Sequence, residues 1–266
     1  MLRILSLGAG VQSSTLALMA ARGELPVPDC AIFADTKAEP AAVYTHLAWL
    51  RSVLPFPVHT VSAGDLRIEI LNMPGRTHIG ARPPFYVMNP DGSRGILRRQ
   101  CTGDFKVEPI QQKVRELLGL KPRQHWPKHV VVEQWIGISR DEASRMKPSR
   151  IPAIRHCWPL IDAGMTRHLC ERWLASHGYP LPPKSACTFC PYRSDAGWRQ
   201  LRDSDSDGWN DALEVDRAIR SGAGNLEGTL YLHDSLMPLE LVDLSTAAER
   251  GQPNLFENEC EGLCGV

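Results

Sequence analysis

The sequence predicts an α/β protein: a doubly wound parallel sheet over residues 1–165, followed by a smaller, mainly helical, cysteine-bearing region over 166–266. Three observations predict it. Short apolar runs alternate with segments of helical spacing through the first part of the chain, the pattern of βα units around a parallel sheet. A glycine-bearing turn stands at the first strand-to-helix junction, where open parallel sheets hold their ligands. Beyond about Pro159 strand signals fade, and Pro180, Pro182 and Pro183 form a stiff break before a Cys-x-x-Cys pair.

In order along the chain, Leu2 to Leu7 reads as a strand that stops at Gly8, and Gln12 to Ala21 has helical spacing that ends at Gly23. Ala31 to Ala34 is a second apolar run, closed by Asp35 and Thr36. Ala41 to Val53 carries Val43, Leu47 and Leu50 on one helical face. Phe56 to Val61 reads as a third strand, and Val130 to Ile138 as a fourth that is apolar enough to be covered on both faces. The Pro-, Gly- and Arg-rich insertion Asn72 to Arg99 is too long for an ordinary connection and reads as a substrate-covering loop. No internal repeat, heptad or low-complexity tract is visible.

Thirty basic side chains balance thirty acidic ones, so the chain lacks the overall positive charge of a dedicated nucleic-acid binder, although local basic patches remain open. No apolar run approaches the ~20 residues of a membrane helix, and the opening leads into a glycine turn instead of a cleavable signal. The cytoplasm is the expected location. Eight cysteines are too few for a disulfide scaffold at this length.

The turn Ser6-Leu7-Gly8-Ala9-Gly10-Val11-Gln12-Ser13-Ser14 reads as an anion site. Gly8 and Gly10 permit positive φ and close approach to a phosphate, the Ser13 and Ser14 hydroxyls can donate to it, and a helix N-terminus adds unpaired N–H groups. The alternative is a packing turn whose serines merely cap the helix. A P-loop is excluded because no Gly-Lys-Ser/Thr follows, and the dinucleotide fingerprint breaks at Ser13, its third glycine position. Asp35, at the end of the second strand, can hold a ribose. Lys106, Arg140 and Arg145, beside predicted strand ends or helix starts, supply the donors an anionic ligand needs, or else form a solvated basic face.

Cys30 and Cys170 sit in apolar or helical stretches and read as small buried hydrophobes. Cys187-Thr188-Phe189-Cys190 has the spacing for Zn²⁺, an iron–sulfur cluster or a redox disulfide. Far upstream, Cys101 follows Arg98 and Arg99, whose charge would lower a thiol pKa. Cys260 and Cys264 close the chain among Glu257, Glu259 and Glu261, on a terminus able to reach a cleft.

Taken together, these segments resemble the PP-loop superfamily of adenine-nucleotide α-hydrolase-like proteins, and most closely its phosphoadenosine phosphosulfate (PAPS) reductase branch. Gly10-Val11-Gln12-Ser13-Ser14 resembles the reductases' modified loop, in which Gln replaces the Asp of ATP-cleaving members. Ala34-Asp35-Thr36 with Tyr44 resembles the branch's Asp-Thr-Gly…Glu-Thr-Tyr segment, with departures at Lys37 and Val43. Lys106-Val107-Glu108-Pro109-Ile110 is similar to its Lys-Val-x-Pro segment, and Trp135 to Arg145 to its Gly-x-Arg-Arg-x-x-Ser-x-x-Arg segment, with Ser139 in place of one arginine. The matches span roughly residues 1–200 in the expected order. The resemblance implies a HUP/PP-loop-like, Rossmann-like sheet and an adenine nucleotide held by Ser6, Gly8, Gly10, Gln12, Ser13, Ser14, Asp35, Thr36, Lys106, Arg140 and Arg145.

The same resemblance implies a [4Fe–4S] cluster, or Zn²⁺, on Cys101, Cys187 and Cys190. Gln100 stands where cluster-bearing relatives pair a second cysteine, leaving three ligands, with Cys157 or the tail as source of a fourth. The tail resembles the reductases' Glu-Cys-Gly-Leu/Ile-His ending, which makes Cys260 the thiol that attacks the sulfate sulfur. Glu261 is inserted before Gly262, and Cys264 replaces the His and can resolve a disulfide with Cys260. A thioredoxin-like reductant would then be the partner.

Two enzyme readings follow, and a third as a non-catalytic nucleotide- or metal-binding module. The first is a sulfonucleotide reductase-like oxidoreductase that moves sulfur through a cysteine thiol. The second is a PP-loop ATP pyrophosphatase-type sulfurtransferase that uses ATP and a cluster to insert sulfur into a nucleobase, with nucleic acid as partner. Gln12 favours the first, since α-phosphate cleavage calls for a carboxylate there; three clustered cysteines favour the second. The remaining histidines show no ligand spacing, and Trp158, Trp173, Trp198 and Trp209 read as packing residues. Asp203, Asp205, Asp207 and Gly208, with Glu214 at position 12, match a calcium loop, whereas Trp209 and Asn210 depart from one and suit a solvated loop opening a helix over Trp209 to Arg220.

Overall fold

The computed structural model describes residues 1–73, 83–220, 222, 226–245 and 249–250. The chain begins with β1 (Leu2–Ser6), α1 (Val11–Ala21), β2 (Cys30–Ala34), α2 (Ala41–Val53), β3 (Val58–Val61) and α3 (Leu66–Leu71). A short hairpin follows, β4 (Tyr86–Met88) and β5 (Arg94–Ile96), then a π-helical turn, Gly103–Val107, that runs directly into α4 (Glu108–Leu117). Next come β6 (Val132–Ile136), a 3-10 segment Arg140–Arg145, β7 (Ile154–Cys157), α5 (Pro159–Asp162) and α6 (Arg167–Ser176). The last described elements are α7 (Asp195–Ser204), α8 (Ser206–Arg220), β8 (Thr229–Tyr231) and a short 3-10 turn, Leu239–Leu241.

Five strands form one parallel sheet in the order β3-β2-β1-β6-β7, as the sequence predicts for a doubly wound protein. Strand order reverses on the two sides of β1, so the crevice between β1 and β6 is the place where such sheets take ligands. All five residues of β2 are buried, which explains its uninterrupted apolar run. One sheet face, with Leu5, Leu7, Phe33 and Trp135, packs under α1, α2 and α6 through Leu16, Leu47, Leu50, Cys170 and Leu174. The other face, with Ile4, Ile32, Val132 and Ile154, packs against Ile110 and Val114 of α4.

A second core joins Phe85, Val87, Leu230 and Leu232 to Trp198, Leu201, Val215 and Ile219, with Leu66 and Ile70 of α3 added from the first part of the chain. Its three-stranded antiparallel sheet runs β5-β4-β8. The insertion expected as a covering loop therefore contains, in its described part, a hairpin that pairs Val87 with Leu230, while residues 74–82 lie outside the described residues. Among the described residues four strands lie beyond the four read from sequence: β4 and β5 of this hairpin, and β7 and β8 in segments that read as featureless or helical. Among the described residues no helix is long and apolar enough to cross a membrane.

The calcium-like segment has a different geometry from the loop that ligand spacing calls for. Asp203 lies in the last turn of α7, whereas Asp207 and Glu214 lie within α8. Asp205 Oδ1 accepts from Gly208 N–H at 2.9 Å, and Glu214 pairs with Arg67, so these acids cap and brace helices.

Candidate nucleotide and thiol site

The first turn is built by backbone geometry more than by its hydroxyls. Neither Gly8 nor Gly10 takes the positive φ expected from sequence; Ala9 does, at φ 56°, and Gly10 is extended at φ −97°, ψ −179°. Gly8 N–H donates to Ser13 Oγ at 3.1 Å, and Ser13 Oγ–H reaches Gly10 O at 3.4 Å, so this hydroxyl ties the turn together. Ser14 is fully buried and bonds His46 Nε2 at 3.0 Å; burial pushes His46 below its ordinary pKa and keeps it neutral. No side chain caps α1, and Gly10, Val11, Gln12 and Ser13 at its start line the cavity at the crevice.

Gly137, just past β6, lets this turn close against the sheet. A Cβ there would stand 2.9 Å from Ser13 N and 3.0 Å from Ser13 Cα.

A cavity of about 600 Å³ opens over the C-terminal ends of β1, β2 and β6 and beside β7. It brings together Ser6, Gly8, Gly10, Gln12, Ser13, Lys106 and Arg145 from the residues expected on sequence grounds. Ser14, Asp35, Thr36 and Arg140 do not line it. Asp35 is held inside its own loop, accepting Lys37 N–H at 2.8 Å and Tyr44 O–H at 2.9 Å. Burial alone would push Asp35 up, but its bonds to Lys37 and Tyr44 outweigh that and hold it below the usual carboxylate range. Arg140 is exposed.

Sequence reasoning missed much of the lining. Among the described residues eight basic side chains border the cavity, with Arg98, Arg99, Lys147, Arg150, Arg167 and Lys184 joining Lys106 and Arg145, against two acids, Glu39 and Glu142. Lys106 Nζ meets Glu39 Oε1 at 3.1 Å, and Ser185 Oγ–H reaches Glu39 Oε2 at 3.3 Å. Arg145 pairs with Glu142, whose other oxygen accepts from Gln12 Nε2 at 3.2 Å; the same amide reaches Ser139 Oγ at 3.4 Å. A carboxylate thus stands beside Gln12 although the loop itself carries none.

Burial pushes the Glu142 carboxyl above its ordinary value, with Arg145 opposing. Protonating Glu142 removes a negative charge from the cavity, so anion affinity should rise as pH falls through its raised pKa. Isothermal titration of pyrophosphate to both proteins should show Glu142→Gln binding more tightly than wild type at pH 8, with the gap narrowing as pH falls. Identical profiles for the two proteins would contradict the assignment.

Cys101, Cys187 and Cys190 come together despite their distance in sequence: all three line a small cavity of about 30 Å³ with Thr36, Lys106 and Tyr192. Cys190, Arg99, Thr102, Lys106 and Tyr192 border both cavities, which are therefore neighbours. Cys190 N–H closes a turn on Cys187 O at 3.0 Å, Thr36 Oγ1 lies 3.4 Å from Cys187 Sγ, and Arg193 donates to Cys187 O at 3.1 Å. Three thiols on one wall are the donor chemistry of a soft metal or cluster. Among the described residues no three His, Cys, Asp or Glu side chains form a ready coordination shell.

The other thiols stand apart. Cys30 and Cys170 are buried, and burial pushes them up to about 11 and about 12. Cys157 is part-exposed and raised by burial and Glu133. Cys260 and Cys264 lie outside the described residues.

No family model matches this chain, and no curated protein matches it. Among solved structures, it is similar to phosphoadenylyl-sulfate (PAPS) reductase from Candida auris, determined as a phosphate complex. The two are 14% identical, with a TM-score of 0.45, and the likeness covers 68% of this chain and 74% of that one.

Proposed function

We propose that the large cavity binds an adenine sulfonucleotide and that the protein is a PAPS reductase-like enzyme, moving or reducing the sulfur through a cysteine thiol. One observation carries this reading: eight basic side chains surround an uncapped helix N-terminus at the crevice of a parallel sheet, with the Cys190 thiol on the same wall. Cations and a helix N-terminus suit a ligand with several anionic groups, and 600 Å³ lies within the range of small-ligand sites.

In this reading the Cys260 thiolate attacks the sulfate sulfur; an S–S bond forms, the bond from sulfur to the bridging phosphate oxygen breaks, and the nucleotide leaves with that electron pair. The Cys264 thiolate then attacks Cys260 Sγ, forming a disulfide and releasing sulfite with the S–S pair. An external thioredoxin-like dithiol reduces the disulfide. Lys106, Arg99 and Arg145 hold and neutralise the phosphates. Were an iron–sulfur cluster or Zn²⁺ bound, Cys101, Cys187 and Cys190 would be its thiolate ligands, and it would supply Lewis-acid or sulfur-binding chemistry.

The convergence of those three thiols favours a second reading, an ATP-using sulfurtransferase acting on a nucleobase. Single-turnover assay of labelled 3′-phosphoadenosine 5′-phosphosulfate separates the two. Wild type should release sulfite and nucleotide, and Cys260→Ser should release none. Full activity in Cys260→Ser would reject that nucleophile, and pyrophosphate from ATP with no sulfite from the sulfonucleotide would establish the sulfurtransferase.

A further inference from the structure

The α4-facing side of the sheet changes character toward its C-terminal end. Ile4, Val132 and Ile154 are buried against α4, but the next residue on the same face of each strand, two positions on, is Ser6, Gln134 and His156. Gln134 and His156 are register partners, and all three line the large cavity. Three part-exposed polar side chains thus stand side by side at the C-terminal end of an otherwise apolar sheet face.

Their hydrogen bonds leave a defined pattern. Gln134 Nε2 donates to Ser6 Oγ at 2.8 Å, which leaves the Ser6 O–H, the second Gln134 N–H and Gln134 Oε1 turned to other partners. His156 Nδ1 lies 2.8 Å from Lys147 O. A carbonyl only accepts, so Nδ1 carries the proton and Nε2 of the neutral ring is an acceptor. The patch thus offers hydroxyl, amide and imidazole groups in a cavity that, among the described residues, eight basic side chains border. Ile110 and Ile136 add apolar lining on the same side.

We infer that Ser6, Gln134 and His156 form a base-reading subsite, with His156 Nε2 accepting from the exocyclic amino group of adenine and Gln134 and Ser6 pairing with its ring nitrogens. The inference rests on the nucleotide reading above and assigns specificity within it. The ligand's phosphates take the cations, leaving its neutral planar part to this patch. Hypoxanthine presents a carbonyl where adenine has the amino group, so His156 Nε2 would face another acceptor, a mismatch worth about tenfold or more in affinity.

The test is calorimetric titration of the full chain with ADP, IDP and pyrophosphate. Wild type should bind ADP at least about tenfold more tightly than IDP. His156→Phe should bring that ratio close to one, and Gln134→Leu should weaken ADP about tenfold, with pyrophosphate affinity unchanged in both as the sign of an intact site. Equal affinity of wild type for ADP and IDP overturns the base-reading role while leaving nucleotide binding standing, as does an undiminished ratio in His156→Phe. Binding of neither nucleotide overturns both readings. If either variant also loses pyrophosphate, the wild-type comparison of ADP with IDP decides alone.

Discussion

Gly137→Val should abolish nucleotide binding, by about a hundredfold or more in Kd, because the substitution forces the glycine turn off the sheet. The atoms that a Cβ would meet are backbone, Ser13 N, Ser13 Cα and Gln12 C at 2.9–3.2 Å, and backbone at a helix start cannot swing aside as a side-chain tip can. The first turn of α1 must shift, carrying away the residues with which it lines the cavity. Overpacking of this kind costs about 1–3 kcal/mol of stability, so the protein should still fold with a lowered Tm. Gly103→Ala is the control: its Cβ would meet nothing within 4 Å, and its melting temperature should stay within a degree or two of wild type. Titration with ADP and thermal melts of both variants check this, and wild-type affinity in Gly137→Val would show that the turn plays no part in binding.

Lys106→Met should be the most destabilising single change among the cavity cations. Glu39 is almost wholly buried, its side chain 1% exposed, and Lys106 Nζ is its cationic partner at 3.1 Å. Removing the cation leaves a buried carboxylate held by Ser185 alone among the bonds described above, a loss of about 2–4 kcal/mol. Glu39→Gln in the same chain should recover most of that loss, since the amide needs no counter-charge. Thermal melts of wild type, the two single variants and the double variant measure the coupling. Strict additivity of the two effects would contradict the buried pair.

The resemblance in sequence and the physics of the chain made different parts of the molecule legible. The βα units of the parallel sheet were readable because β2 is an uninterrupted buried apolar run and α2, Ala41–Val53, carries Val43, Leu47 and Leu50 on one face. The antiparallel sheet was not readable: β4, β5 and β8 are three residues each, too short for alternation, and β4 finds β8 across more than half the chain. β7, Ile-Arg-His-Cys at the sheet edge, lacks the apolar run that marked its neighbours.

At the site, the glycine turn, Lys106 and Arg145 could be read from residue type and position, whereas the grouping of Cys101 with the Cys187 pair came from the family resemblance. Glu39, Gln134 and His156 could not, because each looks like an ordinary loop or strand residue until the fold places it at the crevice. Ala9 was missed for a different reason: glycines on both sides draw the positive φ to themselves in any sequence reading, yet the turn places it between them.

The most direct test of the central claim is calorimetric titration of the wild-type chain with 3′-phosphoadenosine 5′-phosphosulfate, repeated across a salt series and with Lys106→Met. The account predicts one site per chain, weakening as salt rises and weakened further by loss of the Lys106 charge. Absence of binding at low salt, or binding insensitive to both salt and Lys106, would contradict it.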